Sequence, residues 1–490
     1  MTTKEKQIKN SFIYLLPVVW GNLIPMLTLP IFTRILTKED YGVLALAQIY
    51  AIFLSGLSNF GLPVGYERNF FQYRGQKETA ELIYSTLLFV IASFLICVVI
   101  TYLFKSYLSK WIIGSSVHAN LLFWTFCSTG IASVRAYYLT YFKNTENSKA
   151  FVWYTIDESA LGVVLSLFLV AYLRIGVIGL VWGQLMASFI ILVFLIFKFL
   201  RLHPFSFSWH ILKDLLKLSY PLTPRIFFGV IGNQFDKYMI GLMATVGGVG
   251  IYSIGQKVAN IIFAYMTAIQ NVYSPQVYKR MFDLGDKGGE SIGRYLTPFA
   301  YASIFPALLI SLFSEEVISI LTPQSYHGAI DIVIVLSMLY GSYFFGKQPQ
   351  LVFAKKTYIT SILTLLSISL NIGINIPFVM KWGAIGAAWG TLLSGLISGT
   401  VSFVVSQHYY EIKWAYKKIG AIFITFFASS ILMILLRNFS IAYAIILVVK
   451  CISICCYLYL GVKWEIISMD NYLAIKQMVP FKRIVSLQRK

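Results

Sequence analysis

The sequence predicts an all-α polytopic membrane protein with about fourteen transmembrane helices. Three observations predict this class: 58% of the residues are hydrophobic, only 12% are charged, and the mean hydropathy is +0.73. Soluble domains are closer to half apolar and a quarter charged. The excess of apolar side chains is therefore expected to face lipid.

The apolar segments follow one another along nearly the whole chain. The predicted spans are 11–33, 41–64, 82–104, 119–142, 151–173, 176–198, 220–243, 249–275, 295–313, 328–353, 358–380, 384–407, 418–437 and 440–462. Three prolines, Pro17, Pro25 and Pro30, interrupt the first span, and no small-residue cleavage site follows it. The first span is therefore predicted to stay in the membrane as a bent helix and not to be a signal peptide.

The formal net charge is +20, and the basic residues are distributed unevenly between the two predicted sides of the membrane. Of the 40 Lys and Arg residues, 27 fall on the side that holds both termini, 7 on the opposite side and 6 inside spans. This asymmetry predicts that both termini are cytoplasmic. The basic residues are expected to contact anionic lipid headgroups, and no basic domain outside the membrane is available to bind nucleic acid.

An internal repeat organises the chain. RIGVIGLVWGQL at 174–185 matches KWGAIGAAWGTL at 381–392 with an offset of 207, and YGVLALAQ at 41–48 matches GIYSIGQ at 250–256 with an offset of 208. The repeat contains six spans. Because six is even, the two copies enter the membrane from the same side, which predicts parallel lobes facing each other across a central cavity.

The repeat also predicts the domain boundaries. They are an N-lobe at 1–200, an amphipathic cytoplasmic linker at 201–219, a C-lobe at 220–410, two extra helices at 411–465 and a basic cytoplasmic tail at 466–490. In the linker, Trp209, Leu212, Leu215 and Leu216 are expected to lie on the membrane surface.

This architecture resembles a known family. Two parallel six-helix lobes with two further helices, the stretch DYGVLALAQIY at 40–50 and its echo VGIYSIGQKV at 249–258 are similar to the polysaccharide-biosynthesis flippases. That family shares a superfamily with the multidrug/toxin extruders and the lipid II flippases. The resemblance implies that a polyprenyl-diphosphate-linked oligosaccharide of an O-antigen or capsule is moved to the outer leaflet of a bacterial inner membrane by alternating access.

Motifs typical of enzymes are absent from the sequence. The nearest nucleotide-binding pattern, Gly250 to Lys257, lacks the Lys-Ser/Thr ending and lies in a predicted span. Neither the five cysteines nor the five histidines show metal-ligand spacing. No cofactor is therefore expected, and transport is expected to use an H⁺ or Na⁺ gradient, the membrane potential or the substrate gradient.

Ionisable residues inside spans are the candidate functional residues, because each is expensive to bury in lipid. The predicted diphosphate-binding residues are Arg135, Arg225, Lys347 and Lys257, and the candidates for ion coupling are Asp157, Glu158 and Asp236. Depth in the membrane equally allows Arg135 with Asp157, and Asp236 with Lys257, to be structural ion pairs. Lys237 and Lys450 are interpreted as snorkelling or packing residues.

Two other functions stay open at this stage. One is a cation-coupled multidrug or metabolite exporter of the same superfamily, which predicts an acidic cavity. The other is a membrane glycosyl enzyme, although the longest predicted extracytoplasmic loop, near 105–118, is short and carries no acidic residue. The expected partners are the lipid-linked oligosaccharide, membrane lipids and a polysaccharide polymerase or export machinery.

Overall fold

The computed structural model describes residues 16–73, 75–345, 349–439 and 441–466. Within these ranges the chain is almost entirely helical and contains no strand, which confirms the all-α class. The α-helices are α1 (Leu16–Ile35), α2 (Lys38–Ser58), α3 (Leu62–Asn69), α4 (Gln76–Ile112), α5 (Ala119–Asn144), α6 (Ser148–Leu167), α7 (Val177–Leu202), α8 (Trp209–Ser219), α9 (Thr223–Met243), α10 (Val246–Leu284), α11 (Gly288–Leu312), α12 (Ser314–Leu321), α13 (Ala329–Ser342), α14 (Pro349–Phe353), α15 (Thr357–Tyr409), α16 (Tyr416–Asn438) and α17 (Tyr443–Lys463).

Helices cover most of the described residues of every predicted span. Within the described ranges, nine helical segments are long and apolar enough to cross a membrane by length and composition. The longest, α15, has a non-helical residue at Gly383, between the predicted spans 358–380 and 384–407. The polytopic membrane class therefore holds, and the count of fourteen stays a prediction.

The chain divides into two compact units. The first comprises the described residues of Met1–Ile254 with Ser319–Gly328 and Asn375–Ala387. The second comprises Gly255–Ile318, Ala329–Ile374 and the described residues of Ala388–Lys490. The lobe boundaries inferred from the repeat stay predictions, and the predicted tail lies almost wholly outside the described residues.

The linker helix α8 belongs to the core of the first unit. It begins at Trp209 and is capped by Ser208, whose Oγ accepts a hydrogen bond from the amide of Ile211 at 3.4 Å. Ile211, Leu212 and Leu215 are buried inside the protein, where Ile211 and Leu215 join the hydrophobic cluster that contains residues of α3, α4, α5 and α7. The expectation that Leu212 and Leu215 lie on the membrane surface is therefore wrong, because other helices cover this apolar face.

The two segments that match at an offset of 207 residues share a backbone feature. Gly176, which precedes α7, and Gly383, in the middle of α15, occupy equivalent repeat positions and have φ values of 70° and 58°. Glycine adopts this backbone region without the penalty that a Cβ imposes. Both copies of the repeat thus use a glycine to interrupt the chain before the last helix of the lobe.

The two segments that match at an offset of 208 residues contact each other reciprocally inside the first unit. A Cβ added to Gly42 of α2 would lie 1.9 Å from the carbonyl oxygen of Val246, and one added to Gly250 of α10 would lie 1.9 Å from that of Lys38. Lys38 and Val246 are themselves equivalent positions of the repeat. The two equivalent helices therefore cross with their backbones in contact about a local two-fold relation, which only glycine at both positions allows.

In the second unit, α16 and α17 pack against α11. The hydroxyl of Tyr301 donates to the carbonyl of Tyr457 at 3.1 Å, and the hydroxyl of Tyr457 donates to the carbonyl of Tyr301 at 2.7 Å. The Oγ atoms of Ser311 and Ser430 lie 2.8 Å apart. These interhelical hydrogen bonds fix the two extra helices to the helix that the repeat assigns to the C-lobe.

Candidate functional site: buried charges in the helices

The first candidate site is a buried ion pair in the first unit. Arg135 of α5 places Nη2 2.5 Å from Oε2 of Glu158 on α6, and the two side chains are only 10% and 5% exposed. The other carboxylate oxygen of Glu158 accepts hydrogen bonds from Ser188 Oγ and, at 3.3 Å, from Gln184 Nε2, both on α7. Three helices thus meet at one carboxylate whose contacts are all with hydrogen-bond donors.

The Arg135 guanidinium is only partly satisfied. Its Nε and Nη1 atoms are buried and have no hydrogen-bond partner among the described residues. Unpaired buried donors are expensive and usually bind a water or a ligand. The group therefore retains the capacity to bind an additional acceptor such as a phosphate oxygen.

The partner of Arg135 is Glu158 and not Asp157, the residue that depth in the membrane suggested. Asp157 is exposed and has no hydrogen-bond or ion-pair partner among the described residues. Successive residues of a helix point about 100° apart, so a difference of one residue turns the carboxylate away. Depth alone carries no information on this rotation.

The second candidate site surrounds Asp236 of α9, also in the first unit. This buried carboxylate accepts hydrogen bonds from the Tyr252 hydroxyl at 3.0 Å and from Asn375 Nδ2 at 3.1 Å. The neighbouring Lys237 is partly buried, and its Nζ donates to Gln234 Oε1 at 3.2 Å. Asp236 is thus held by neutral donors from two other helices, α10 and α15.

The remaining predicted site residues are less defined. Arg225 lies in the first turn of α9, but its side chain is not among the described ones. Lys347 lies outside the described residues, and Lys257 is an exposed residue of α10. The four-residue diphosphate patch and the pairing of Asp236 with Lys257 therefore stay predictions.

Lys450 of α17 forms an ion pair that sequence reasoning missed. It is 1% exposed, and its Nζ contacts Oε1 of Glu316 on α12, which also accepts from the Tyr443 hydroxyl at 2.7 Å. Of the two interpretations given for Lys450, snorkelling is therefore wrong, and packing inside the protein agrees with its burial. The signal for this pair is Glu316 itself, an acidic residue between two predicted spans.

Known proteins resemble this chain over most of its length. The model of the family described as polysaccharide biosynthesis protein matches residues 8–278. A Haloferax volcanii protein assigned as a low-salt glycan biosynthesis flippase is 26% identical over 200 residues, which is 39% of this chain and 42% of the relative, so that match spans less than half of the archaeal protein. An Escherichia coli protein assigned as an O-antigen transporter is 20% identical over 69% of this chain and 81% of its own length.

Solved structures share the fold. The lipid II flippase MurJ in an inward closed conformation has a TM-score of 0.68 at 15% identity, covering 94% of this chain and 99% of that one. A mutant Vibrio cholerae MATE transporter has a TM-score of 0.51 at 13% identity, covering 82% and 96%. The helices thus follow the fold of these transporters, and since the family model matches more than half of the residues, the chain belongs to the polysaccharide biosynthesis protein family.

Proposed function

We propose that the chain is a flippase that moves polyprenyl-diphosphate-linked oligosaccharides from the cytoplasmic to the outer leaflet for assembly of an O-antigen or capsule. The observation that carries the proposal is membership of the polysaccharide biosynthesis protein family, together with relatives assigned as a glycan flippase and an O-antigen transporter. The proposed location is a bacterial inner membrane with both termini in the cytoplasm, where a polymerase or export machinery takes up the product.

The reciprocal helix crossing supports alternating access as the mechanism. Gly42 and Gly250 lie at the ends of α2 and α10 that the charge distribution predicts to be extracytoplasmic. Near this crossing, the Tyr326 hydroxyl donates to the Leu36 carbonyl at 2.7 Å, and Thr33 Oγ1 donates to the Leu321 carbonyl at 3.0 Å. These contacts join helices of the two predicted lobes on that side, and alternating access requires them to separate for the substrate to leave outward.

The buried Arg135 suits recognition of the diphosphate. An arginine binds phosphate through several parallel N–H groups, and two of the three guanidinium nitrogens of Arg135 lack partners among the described residues. In the proposed mechanism the diphosphate competes with Glu158 for this guanidinium, and Arg225, Lys347 and Lys257 supply further positive charge along the path. Arg135 then exchanges the Glu158 carboxylate for a phosphate as its anionic partner.

The contacts of Glu158 favour H⁺ over Na⁺ as its coupling ion. Its described partners, Arg135, Ser188 and Gln184, act as donors to the carboxylate, whereas a bound Na⁺ needs several oxygen ligands. A proton taken up by Glu158 neutralises its carboxylate, and the Arg135 guanidinium, still positively charged, is then free to bind the diphosphate. Asp236 is the second candidate for coupling, because its carboxylate is also buried. The exposed Asp157 is left out of the proposed coupling, because it has no partner among the described residues.

Reconstituted transport tests the proposal. Purified protein in liposomes is given a fluorescent polyprenyl-diphosphate oligosaccharide, and the label that reaches the opposite leaflet is measured with a membrane-impermeant quencher. We expect transfer by the wild type, retained transfer by Arg135→Lys, and loss in Arg135→Ala. Asp157→Asn serves as the matched control and is expected to transfer normally. Equal transfer by protein-free liposomes would contradict the proposal, and efflux of a cationic dye instead would favour the drug exporter.

A further inference from the structure

Residues 203–208 form an extended strap that joins α7 to α8 in the first unit. The carbonyl of His203 accepts a hydrogen bond from the Tyr84 hydroxyl at 2.7 Å, and Ser206 Oγ donates to Glu81 Oε1 at 3.1 Å. The amide of Ser208 donates to Ser85 Oγ at 2.9 Å. All three partners lie on α4, so the strap is held against that helix along its whole length.

The strap has two different faces. The Ser206 hydroxyl and the Ser208 backbone contact α4, and the Phe205 ring centroid lies 5.2 Å from that of Tyr84 on the same helix. The aromatic residues of this region nevertheless stay largely exposed. Phe205, Phe207 and Trp209 are 61%, 45% and 67% exposed. A well-anchored segment thus presents a row of three aromatic side chains to its surroundings.

The aromatic row continues the lipid-facing surface of α7. Ile190, Phe194 and Phe197 are 49%, 63% and 62% exposed and follow the helical spacing of one face. The 26 residues of α7 extend roughly 39 Å at 1.5 Å per residue, enough to cross a hydrocarbon core of about 30 Å. The strap therefore begins where the chain reaches the membrane interface, the level at which aromatic side chains are enriched.

Exposed cations flank the row. Arg201 precedes the strap, and Lys213 and Lys217 follow Trp209 at intervals of four residues, so that Trp209 and the two lysines share one exposed stripe of α8. Of the acidic residues beside the row, Asp214 of α8 accepts a hydrogen bond from the Tyr73 hydroxyl at 2.8 Å, and Oε1 of Glu81 on α4 lies 3.9 Å from Lys77 Nζ. The local charge is therefore positive beside an apolar row, which is complementary to an anionic lipid surface.

We propose that the strap and the exposed stripe of α8 form a binding site for anionic phospholipid headgroups. Phe205, Phe207 and Trp209 enter the interface, while Arg201, Lys213 and Lys217 contact lipid phosphates. The site fixes the linker between the two copies of the repeat to the bilayer surface. The buried apolar face of α8 does not take part, since it packs against the protein.

Fluorescence quenching in nanodiscs tests the position of the strap. The five natural cysteines are replaced by alanine, an environment-sensitive dye is attached at Phe207→Cys, and the discs contain phosphatidylglycerol. The matched control carries the dye at Lys149→Cys, the exposed start of α6. We expect the dye at position 207 to be quenched by headgroup spin-labelled lipid and protected several-fold from aqueous iodide relative to position 149. Equal iodide quenching at both positions overturns the proposal.

The charge requirement has its own test. Native mass spectrometry of the full chain measures retention of phosphatidylglycerol against phosphatidylcholine. Lys213→Gln with Lys217→Gln is expected to lower the preference for phosphatidylglycerol by on the order of tenfold, since each surface lysine contributes several-fold to the binding of anionic lipid. The control is Lys105→Gln with Lys110→Gln, at the far end of α4. An equal loss in both double variants, or no loss in either, contradicts the assignment of headgroup binding to this site.

Discussion

Removal of the charge on Glu158 is the most informative single perturbation of the first candidate site. Glu158→Gln keeps the volume and an acceptor for Ser188 and Gln184 but leaves Arg135 without its described anionic partner. Breaking a buried ion pair by removing one partner destabilises a protein by about 3–5 kcal/mol. A hydrogen bond between membrane helices contributes on average only about 0.6 kcal/mol. The size of the loss in the free energy of unfolding therefore distinguishes an ion pair from a polar contact.

The assay is equilibrium unfolding of the purified protein in a fixed detergent, followed by circular dichroism. We expect Glu158→Gln to lower the free energy of unfolding by about 3–5 kcal/mol. Ser188→Ala should lower it by roughly 0.6 kcal/mol, and the exposed Asp157→Asn by less than about 0.5 kcal/mol. The double variant Arg135→Met, Glu158→Gln should recover much of the loss, because no buried charge then remains.

Two results would refute this reasoning. If Glu158→Gln and Asp157→Asn destabilise equally, the ion pair contributes nothing beyond a surface charge. If the losses of Glu158→Gln and of Arg135→Met, each measured alone, simply add in the double variant, Arg135 and Glu158 are not coupled.

Three further predictions concern other parts of the chain. Gly250→Ala brings a Cβ to 1.9 Å from a backbone oxygen and should abolish transport, whereas Gly229→Ala, with nothing within 4 Å, should not; equal transport by both would mean that the helix crossing is dispensable. Lys450→Met leaves the partly buried Glu316 without its cation and should lower the melting temperature more than Lys463→Met on the same helix, which scanning fluorimetry can compare. Burial lowers the pKa of His203, so the unfolded chain binds the proton more tightly and stability should fall as the pH drops through about 6.5; a His203→Gln variant with the same acid sensitivity would disprove this.

The helices were predictable because lipid imposes a simple rule on the sequence. Each span needs about 20 apolar residues, and the described parts of the predicted spans are largely helical. The repeat was equally readable, since Gly42 and Gly250 are required by a backbone contact that tolerates no side chain. At such positions the residue type itself indicates the structural constraint, because only glycine fits.

The partners of the buried charges were harder to predict. Depth along a helix follows from counting residues, but the direction of a side chain around the axis depends on how the helices pack. This is why Arg135 was matched with Asp157 when its partner is Glu158. The same limit applies to α8, whose hydrophobic periodicity revealed an apolar face but not that protein covers it.

The most direct test of the central claim is made in the cells that use the protein. Mass spectrometry can compare the polyprenyl-diphosphate lipids of the native host with the gene intact and depleted. The proposed flippase activity predicts that one lipid-linked oligosaccharide accumulates on depletion and faces the cytoplasm. An unchanged lipid pool together with new sensitivity to cationic drugs would contradict it.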